Sequence, residues 1–215
     1  MKIFKSLEEI NNIEPCALAL GNFDGVHKGH QELILRAVRA AKRHGIKSAV
    51  FTFSNHPRNM IPGQKKVENI IYNEEKATLI EAFGVDYLFD IPFTKEIQTM
   101  EAESFVKDLI VGRFKAAETF CGFNYKFGYK AAGNVKLLKA LAKELGFTAN
   151  EVHPVTVDGE VVSSTLIRGL IKSGEVDECI HYLGRNYSIG GEVVVGNKLG
   201  RTIGFPTSNI MIDRI

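Results

Sequence analysis

Five strand-like segments alternate along the chain with segments of helical periodicity, and this alternation limits the possible folds more than any other feature. The strand-like segments are CALAL, KSAVFTF, VDYLFDI, AETFCGF and NEVHPVTV. The helical segments are the stretch that begins at Gln31, NEEKATLIEAFG, EAESFVKDLIVGRF and GNVKLLKALAKELGF. Strands that alternate with amphipathic helices predict an α/β fold, in which a parallel sheet carries helices on both faces.

Single residues predict where several of these elements begin and end. Gly45 is placed to stop the first helix, and Gly84 is placed to stop the second. Asn73 is the predicted N-cap of the second helix. The Asp-Gly pair in VDGEVV predicts a short hairpin after the fifth strand.

The alternating pattern stops at about Leu183. The following segment, YSIGGEVVVGNKLGRTIGFPTSNIMI, is strand-like and rich in glycine, with no helical period. We therefore predict two domains, an α/β domain over residues 1–183 and the beginning of an all-β domain over residues 184–215. The second segment is shorter than a typical domain.

Charge and cysteine content exclude several classes of protein. A formal net charge of +2 gives no electrostatic reason to expect nucleic-acid binding. The three cysteines lie far apart without a CxxC pair, which argues against a disulfide framework and a zinc site. The N-terminus MKIFKSLEEI does not resemble a secretory signal, and no apolar run approaches the roughly 18 residues of a membrane helix. We therefore expect a protein of the reducing cytoplasm that does not act at a membrane.

The segment GNFDGVHKGH, residues 21–30, lies where the first strand meets the first helix. Ligands of open parallel sheets bind beyond the carboxyl ends of the strands. A helix N-terminus at that edge offers free N–H groups to phosphate, and glycines allow close approach of the backbone. Because His27 and His30 can both donate hydrogen bonds there, we interpret the pair as a phosphate clamp.

Two alternatives for the histidine pair are open at this point. A metal site would need a third ligand, for which Asp24 and His56 are available, and a purely structural role needs no ligand. The segment does not match the Gly-x-Gly-x-x-Gly dinucleotide fingerprint, and the chain has no Gly-Lys-Ser/Thr loop. A dinucleotide-dependent dehydrogenase and a P-loop enzyme are therefore poor interpretations.

GNFDGVHKGH resembles the Gly-x-Phe-Asp-x-x-His-x-Gly-His motif of the HxGH nucleotidylyltransferase superfamily. Over nearly its whole length the chain is similar to the bacterial riboflavin kinase/FMN adenylyltransferase (FAD synthetase) family. FTFSNHP, GFNYKFGYKAAGN, SSTLIR and GRTIGFPTSN carry this resemblance in the same order. It implies a Rossmann-like adenylyltransferase domain followed by an incomplete kinase barrel.

The resemblance implies an enzyme that joins FMN and ATP into FAD and pyrophosphate, with Mg²⁺ arriving on ATP and no permanent metal site. Direct attack by the FMN phosphate requires positioning and charge stabilisation rather than a protein nucleophile. The residues assigned to catalysis are His27, His30 and Arg168. The residues assigned to ATP and its phosphates are Gly21, Asn22, Phe23, Asp24, Gly29, Ser163, Ser164 and Thr165. Among these, Gly21, Phe23 and Asp24 are expected to shape the loop.

SSTLIR, residues 163–168, is predicted to begin a second helix that faces phosphate. Its three hydroxyl residues are good helix caps, and Arg168 lies one turn further along, where its planar fork can reach the β- and γ-phosphates. The alternative is an ordinary capped helix with a surface arginine.

The flavin site is expected to use residues that follow the second and fourth strands. The residues assigned to it are Asn55, Pro57, Asn124 and Phe127, although Phe127 could equally pack in the core. Asn124 and Asn134 stand where the family often has Asp, so two carboxylates are missing. These departures bear on flavin affinity more than on the overall reaction.

GRTIGFPTSN resembles the kinase-domain motif that holds MgATP through Thr207 and Asn209, with Ser208 in place of the usual alanine. A barrel cannot close without its remaining strands, so we expect kinase activity only in a longer parent chain. The chain is then either a fragment or a natural short form. Two rival functions are another adenylyl- or cytidylyltransferase of the superfamily and a flavin-binding regulatory module without catalysis. FMN and ATP are the expected small-molecule partners.

Overall fold

The computed structural model describes residues 1–197 and 199–212. The strands are β1 (Lys2–Phe4), β2 (Cys16–Leu20), β3 (Lys47–Phe53), β4 (Tyr87–Ile91), β5 (Ala116–Gly122), β6 (Lys126–Phe127), β7 (Gly133–Asn134), β8 (Thr148–Val152), β9 (Thr156–Val157), β10 (Glu160–Val161), β11 (Glu192–Val194) and β12 (Asn209–Met211). The helices are α1 (Lys28–His44), α2 (Asn73–Glu81), α3 (Lys95–Thr99), α4 (Ala102–Ser104), α5 (Val135–Leu145), α6 (Ser164–Ser173), α7 (Cys179–Leu183) and α8 (Leu199–Thr202). After α4 the chain continues as π-helical turns over Phe105–Arg113.

Six parallel strands form the central sheet in the order β1-β4-β3-β2-β5-β8. From β2 the chain first adds β3 and β4 on one side and then β5 on the other, so the strand order reverses at β2. The crevice at the carboxyl ends of the strands on either side of such a reversal is the usual ligand site of these sheets. The predicted α/β fold is confirmed.

Alternate residues of the strands pack into two separate cores, one on each face of the sheet. Leu18 and Leu20 of β2 belong to the core that is covered by α5 and the π-helical turns. Ala17 and Ala19 belong to the core that is covered by α1, α6 and α7. This alternation follows from the two-residue period of a strand, and the burial of both faces explains why the strands are uniformly apolar.

Several predicted boundaries differ in the structure. Asn73 is the first residue of α2 rather than its N-cap, because its side-chain amide donates to the Ser54 carbonyl and so ties the helix to the end of β3. The fifth predicted strand lies earlier, at Thr148–Val152, and ends before Pro154, which has no N–H to offer a sheet. The strand Lys2–Phe4 was not predicted, and it joins the sheet edge beside β4.

The C-terminal segment holds a short antiparallel pair, β11 with β12, and the single helical turn α8. The segment therefore contains the predicted strands, but it also contains one helical turn that was not predicted. Residues 198 and 213–215 of the predicted second domain lie outside the described residues. No helix within residues 1–197 and 199–212 combines the length and the apolar character needed to span a bilayer.

Candidate functional site

The loop between β2 and α1 is buried and has an unusual backbone. Phe23 and Val26 have φ angles of 49° and 38°, and Gly25 between them has a φ of 85°. A positive φ is uncommon for a residue other than glycine, and it persists only when neighbouring groups fix the backbone. The loop is therefore held in one conformation, at the edge of the sheet where the strand order reverses.

His27 and His30 form a stacked pair at the start of α1. The His27 side chain caps the helix, and its Nδ1 accepts the backbone N–H of His30 at 3.3 Å. The two imidazole rings lie 3.6 Å apart between centroids, 16° from parallel. A Cβ added at Gly29 would lie 3.2 Å from the His27 ring, so the glycine leaves room for this stack.

Both histidines are neutral at neutral pH. Burial lowers the pKa of His27 to about 4, and the charge of Arg168 acts in the same direction. Burial also lowers the pKa of His30 well below its ordinary value, with His27, Lys76 and Arg168 adding to the effect. Because Nδ1 of His27 is an acceptor, the proton of the neutral ring lies on Nε2, which is therefore the donor available to a ligand.

Asp24 fixes the loop to the chain segment before α2 and does not line the space beside the histidine pair. Its Oδ1 accepts the backbone N–H of Ile70 at 2.8 Å, and its Oδ2 accepts from the guanidinium of Arg168. This geometry fits a loop-ordering carboxylate. In residues 1–197 and 199–212, no three His, Cys, Asp or Glu side chains converge to hold a metal, so the metal interpretation with Asp24 and His56 finds no support.

The guanidinium of Arg168 bonds to groups of the protein, and Arg168 is not among the residues that line the space beside the histidine pair. Besides Asp24, its Nε donates to the Glu68 carbonyl at 2.8 Å, and its side chain is 18% exposed. It lies one turn inside α6, as predicted. Its guanidinium nevertheless already serves two protein acceptors, so the predicted contact with the β- and γ-phosphates remains a prediction.

The N-terminus of α6 faces the same cavity as the histidine pair. The Ser163 hydroxyl caps the helix by accepting the N–H of Leu166 at 3.2 Å. The Ser164 hydroxyl donates to the Asp24 carbonyl at 2.9 Å, which joins the two helix starts directly. Ser163, Ser164 and Thr165 all line the cavity. Two helix N-termini thus offer N–H groups and hydroxyls to one space.

The cavity has a volume of about 970 Å³, near the upper end of the range for small-molecule sites. Its polar end is lined by Gly21, Asn22, His27, Gly29, His30 and the three hydroxyl residues of α6. Its other walls are mostly apolar and aromatic, with Phe53, Phe93, Ile97, Phe105, Tyr125, Phe127 and Tyr129 among them. Phosphate groups and a flat ring system can therefore lie in one continuous space.

The residues predicted for the flavin divide into two groups. Pro57, Asn124 and Phe127 line the cavity. Phe127 is only 6% exposed and stacks on Phe105, so it is both a core residue and part of the wall. Asn55 is not among the lining residues, because its amide is bonded to both the N–H and the carbonyl of Phe93. It holds the loop after β4 in place.

Asn134, one of the two positions where the family often has Asp, caps α5. Its side-chain oxygen accepts the N–H of Leu137 at 3.0 Å. Asn and Asp are about equally good at this position, so the missing carboxylate leaves the cap intact.

Three polar side chains that donate hydrogen bonds to backbone carbonyls around this site were not predicted from the sequence. Lys76 is buried and donates to the Phe53 carbonyl at 2.8 Å. Gln31 bonds to the carbonyls of Val26 and Leu183, and Arg185 donates to the carbonyl of Gly25. A lysine at an internal position of a predicted helix was the one available hint.

In the C-terminal segment, Thr207 and Asn209 of the kinase-like motif are exposed. Asn209 begins β12 and pairs with Val194 of β11.

Comparison with protein families decides between the remaining interpretations. The FAD synthetase family model matches residues 9–166, and the riboflavin kinase model matches residues 183–215. The chain belongs to the FAD synthetase family. It contains the FAD synthetase domain, an enzyme domain with nucleotidyltransferase activity, and only part of a riboflavin kinase domain. The other nucleotidylyltransferases of the superfamily are thereby set aside.

Curated relatives of this chain bear the name bifunctional riboflavin kinase/FMN adenylyltransferase. The Haemophilus influenzae protein is 33% identical over 215 residues, which are all of this chain and 70% of that protein. The Listeria monocytogenes protein is 36% identical over 91% of this chain and 62% of its own length. The Escherichia coli K12 protein is 29% identical over all of this chain and 69% of its own length.

A solved structure shares the FAD synthetase fold. The crystal structure of a Streptococcus pneumoniae protein, described as a macrolide-efflux protein, has a TM-score of 0.87 and 31% identity. It matches 99% of this chain and 69% of its own length. For this chain, membership of the FAD synthetase family implies ATP and FMN as substrates and FAD as a product.

Proposed function

We propose that this chain transfers the AMP group of ATP to FMN, giving FAD and pyrophosphate, at the cavity between α1 and α6. One observation carries the proposal. The His27–His30 pair and the three hydroxyl residues of α6 line one end of a 970 Å³ space whose remaining walls are mostly apolar and include several aromatic rings. This arrangement suits two phosphate-bearing substrates, one of which carries a flat tricyclic ring.

In the proposed step, a phosphate oxygen of FMN attacks the α-phosphorus of ATP. A new P–O bond forms as the bond from the α-phosphorus to the bridging oxygen breaks, and the electron pair leaves with pyrophosphate. No protein nucleophile takes part. Consistent with this, all three cysteines are buried, and burial raises the pKa of Cys16 and Cys121 to about 12.

The two histidines act as donors rather than as fixed charges. The Nε2–H of His27 and the ring of His30 would donate to the oxygens on which charge develops, and the positive end of α1 would add to their effect. The N–H groups and hydroxyls at Ser163, Ser164 and Thr165 would hold the remaining phosphates. Arg168 would support both helix starts through Asp24. Mg²⁺ carried by ATP would neutralise part of the phosphate charge.

Pro57, Asn124 and Phe127 form the proposed flavin end. Phe127 can support the flat ring, and the Asn124 amide can bond to its polar edge. We propose the domain boundary at about residue 183, with the FAD synthetase domain before it and the kinase-like segment after it.

The decisive experiment incubates the purified protein with ATP, Mg²⁺ and FMN and measures FAD and pyrophosphate by chromatography. Equimolar formation of both products is expected, and His27→Ala should abolish most of it. Flavin binding without FAD formation would overturn the proposal and favour the regulatory flavin-binding module. Reaction with another phosphate acceptor in place of FMN would mean that the acceptor has been misassigned.

A further inference from the structure

The segment that immediately follows α7 contacts the loop that carries His27. Arg185 donates to the Gly25 carbonyl at 3.0 Å, although the two residues are 160 positions apart. Gln31 of α1 donates to the Val26 carbonyl at 2.9 Å and to the Leu183 carbonyl at 2.7 Å. The segment that leads into the kinase-like residues therefore packs directly behind the histidine pair.

The carbonyls of Asn22, Asp24, Gly25 and Val26 in this loop accept hydrogen bonds from side chains of different elements. Thr52 of β3 donates to the Asn22 carbonyl at 2.9 Å, and Ser164 of α6 donates to the Asp24 carbonyl. Arg185 takes the next carbonyl, that of Gly25, which lies between the two positive-φ residues Phe23 and Val26. The positive φ angles of Phe23 and Val26 need external support, and Arg185 supplies part of it at the residue that precedes Val26.

Arg185 is itself held in position. Its guanidinium lies 3.8 Å from the Glu75 carboxylate of α2, with the two side chains 23% and 27% exposed. Ser188 also donates to Glu75, at 2.9 Å. Leu183 and Cys179 of α7 are fully buried in the core that α1 covers. An arginine oriented in this way loses little freedom when it bonds to a carbonyl.

We propose that Arg185 is a positioning residue for adenylyl transfer, and that it fixes the His27 loop from within the stretch that matches the riboflavin kinase model. The inference rests on the proposed function of this site. It means that the adenylyl-transfer site depends on residues beyond position 183, so that residues 183–188 belong functionally to the first domain although the kinase model matches them.

The test compares Arg185→Gln, Arg185→Lys and the matched control Arg36→Gln, whose side chain is 47% exposed on the outer face of α1. We expect Arg185→Gln to lower kcat for FAD formation by about tenfold, because small displacements of catalytic groups have large effects on rate. KM for FMN should stay within about twofold of wild type, since the flavin end of the cavity is not affected. Arg185→Lys should recover part of kcat, because one ammonium can reach Gly25 or Glu75 but not both.

Hydrogen exchange supplies a second measurement that does not require activity. The Val26 N–H, which donates to the Phe23 carbonyl, and the other amides of residues 21–31 should exchange about tenfold faster in Arg185→Gln, while β2 and β3 keep their protection. Equal kcat and equal exchange in Arg185→Gln and Arg36→Gln would overturn the inference. So would uniformly faster exchange of the whole sheet, which indicates general destabilisation. If wild type forms no FAD, the proposed function fails, and the exchange data still decide whether Arg185 positions the loop.

Discussion

The ring of His27 lies face to face with the ring of His30, with 3.6 Å between the ring centroids. The Nδ1 of His27 also accepts the backbone N–H of His30. Position 30 is thus fixed by position 27 through both its ring and its backbone. His30 itself has a buried Nδ1 without a hydrogen-bond partner among the described residues. A buried donor or acceptor without a partner is costly, so a ligand that bonds to this ring is stabilised relative to the free protein.

His30→Ala should lower the rate of FAD formation by on the order of 10²-fold, as expected for the loss of one preorganised donor to a developing negative charge. The affinity for FMN should change little, since the ring lies at the phosphate end of the cavity. Steady-state kinetics and flavin titration measure the two effects. His181→Ala, on an exposed side chain of α7, is the control. Turnover equal to that control would rule out the clamp.

Stability should fall as the pH drops from about 6.5 to about 4, the ordinary and folded-state pKa of His27. In this window the imidazole at position 27 is protonated in the unfolded chain but stays neutral in the folded protein, so stability is fully present above pH 6.5 and is lost on acidification. By pH 4 this difference should lower the free energy of unfolding by about 3 kcal/mol. His27→Gln should flatten the pH dependence of urea unfolding relative to His181→Gln. Identical slopes in the two variants would contradict the burial of a neutral ring.

Arg168→Lys should weaken ATP binding and also lower the free energy of unfolding. A lysine cannot serve the Asp24 carboxylate and the Glu68 carbonyl together as the guanidinium does. Calorimetry with a non-reactive ATP analogue and urea unfolding measure the two effects. Arg36→Lys makes the same substitution on the surface. Normal ATP affinity with reduced stability would restrict Arg168 to a structural role, and normal values of both would contradict its placement.

Asn134→Asp should leave stability within about 0.5 kcal/mol of wild type, because both residues cap helices well. Asn134→Ala should cost about 1 kcal/mol, since the Leu137 N–H at the start of α5 loses its acceptor. Thermal or urea unfolding of the three proteins is sufficient. A large gain of FMN affinity in Asn134→Asp would show that the missing carboxylate acts on the flavin rather than on the helix.

Gly128→Ala should destabilise the loop at the aromatic side of the cavity and weaken FMN binding. Gly128 has a φ of 72°, and a Cβ there would lie 2.6 Å from the Ala102 Cα. Gly146→Ala is the matched control, because Gly146 has a φ of 77° but nothing within 4 Å of the added atom. Both variants should lose about 1 kcal/mol from backbone strain, with a further loss only in Gly128→Ala. Equal unfolding energies would mean that the loop moves aside freely.

The sheet and the two helix starts could be predicted because their causes are local. Unbroken apolar runs predict buried strands, and ligands of parallel sheets bind beyond the carboxyl ends of the strands, so GNFDGVHKGH could be assigned to that edge. SSTLIR was predicted as a helix start from its three capping residues. The short strand β1 could not be predicted, since three residues give no period and its pairing partner, β4, lies more than 80 residues away.

The supporting residues were missed for a different reason. Arg185, Gln31 and Lys76 bond to backbone carbonyls, which every residue carries, so no pattern of side-chain types marks their partners. Asn55 and Asn73 were assigned as a flavin contact and a helix cap, but both amides instead tie loops at the end of β3 to neighbouring backbone. A polar side chain beside a site can contact the ligand or fix the loop, and its residue type does not distinguish these roles.

The cap that His27 places on α1 has a consequence for how this sequence can change during evolution. A descendant that lost the chemistry would still be under selection for a capping side chain at position 27, where Ser, Thr, Asp and Asn all suffice. Position 30 contributes its backbone N–H to that cap, so its side chain would be free to drift. Histidine at both positions is therefore what selection for phosphate chemistry would preserve, and selection for helix stability alone would not.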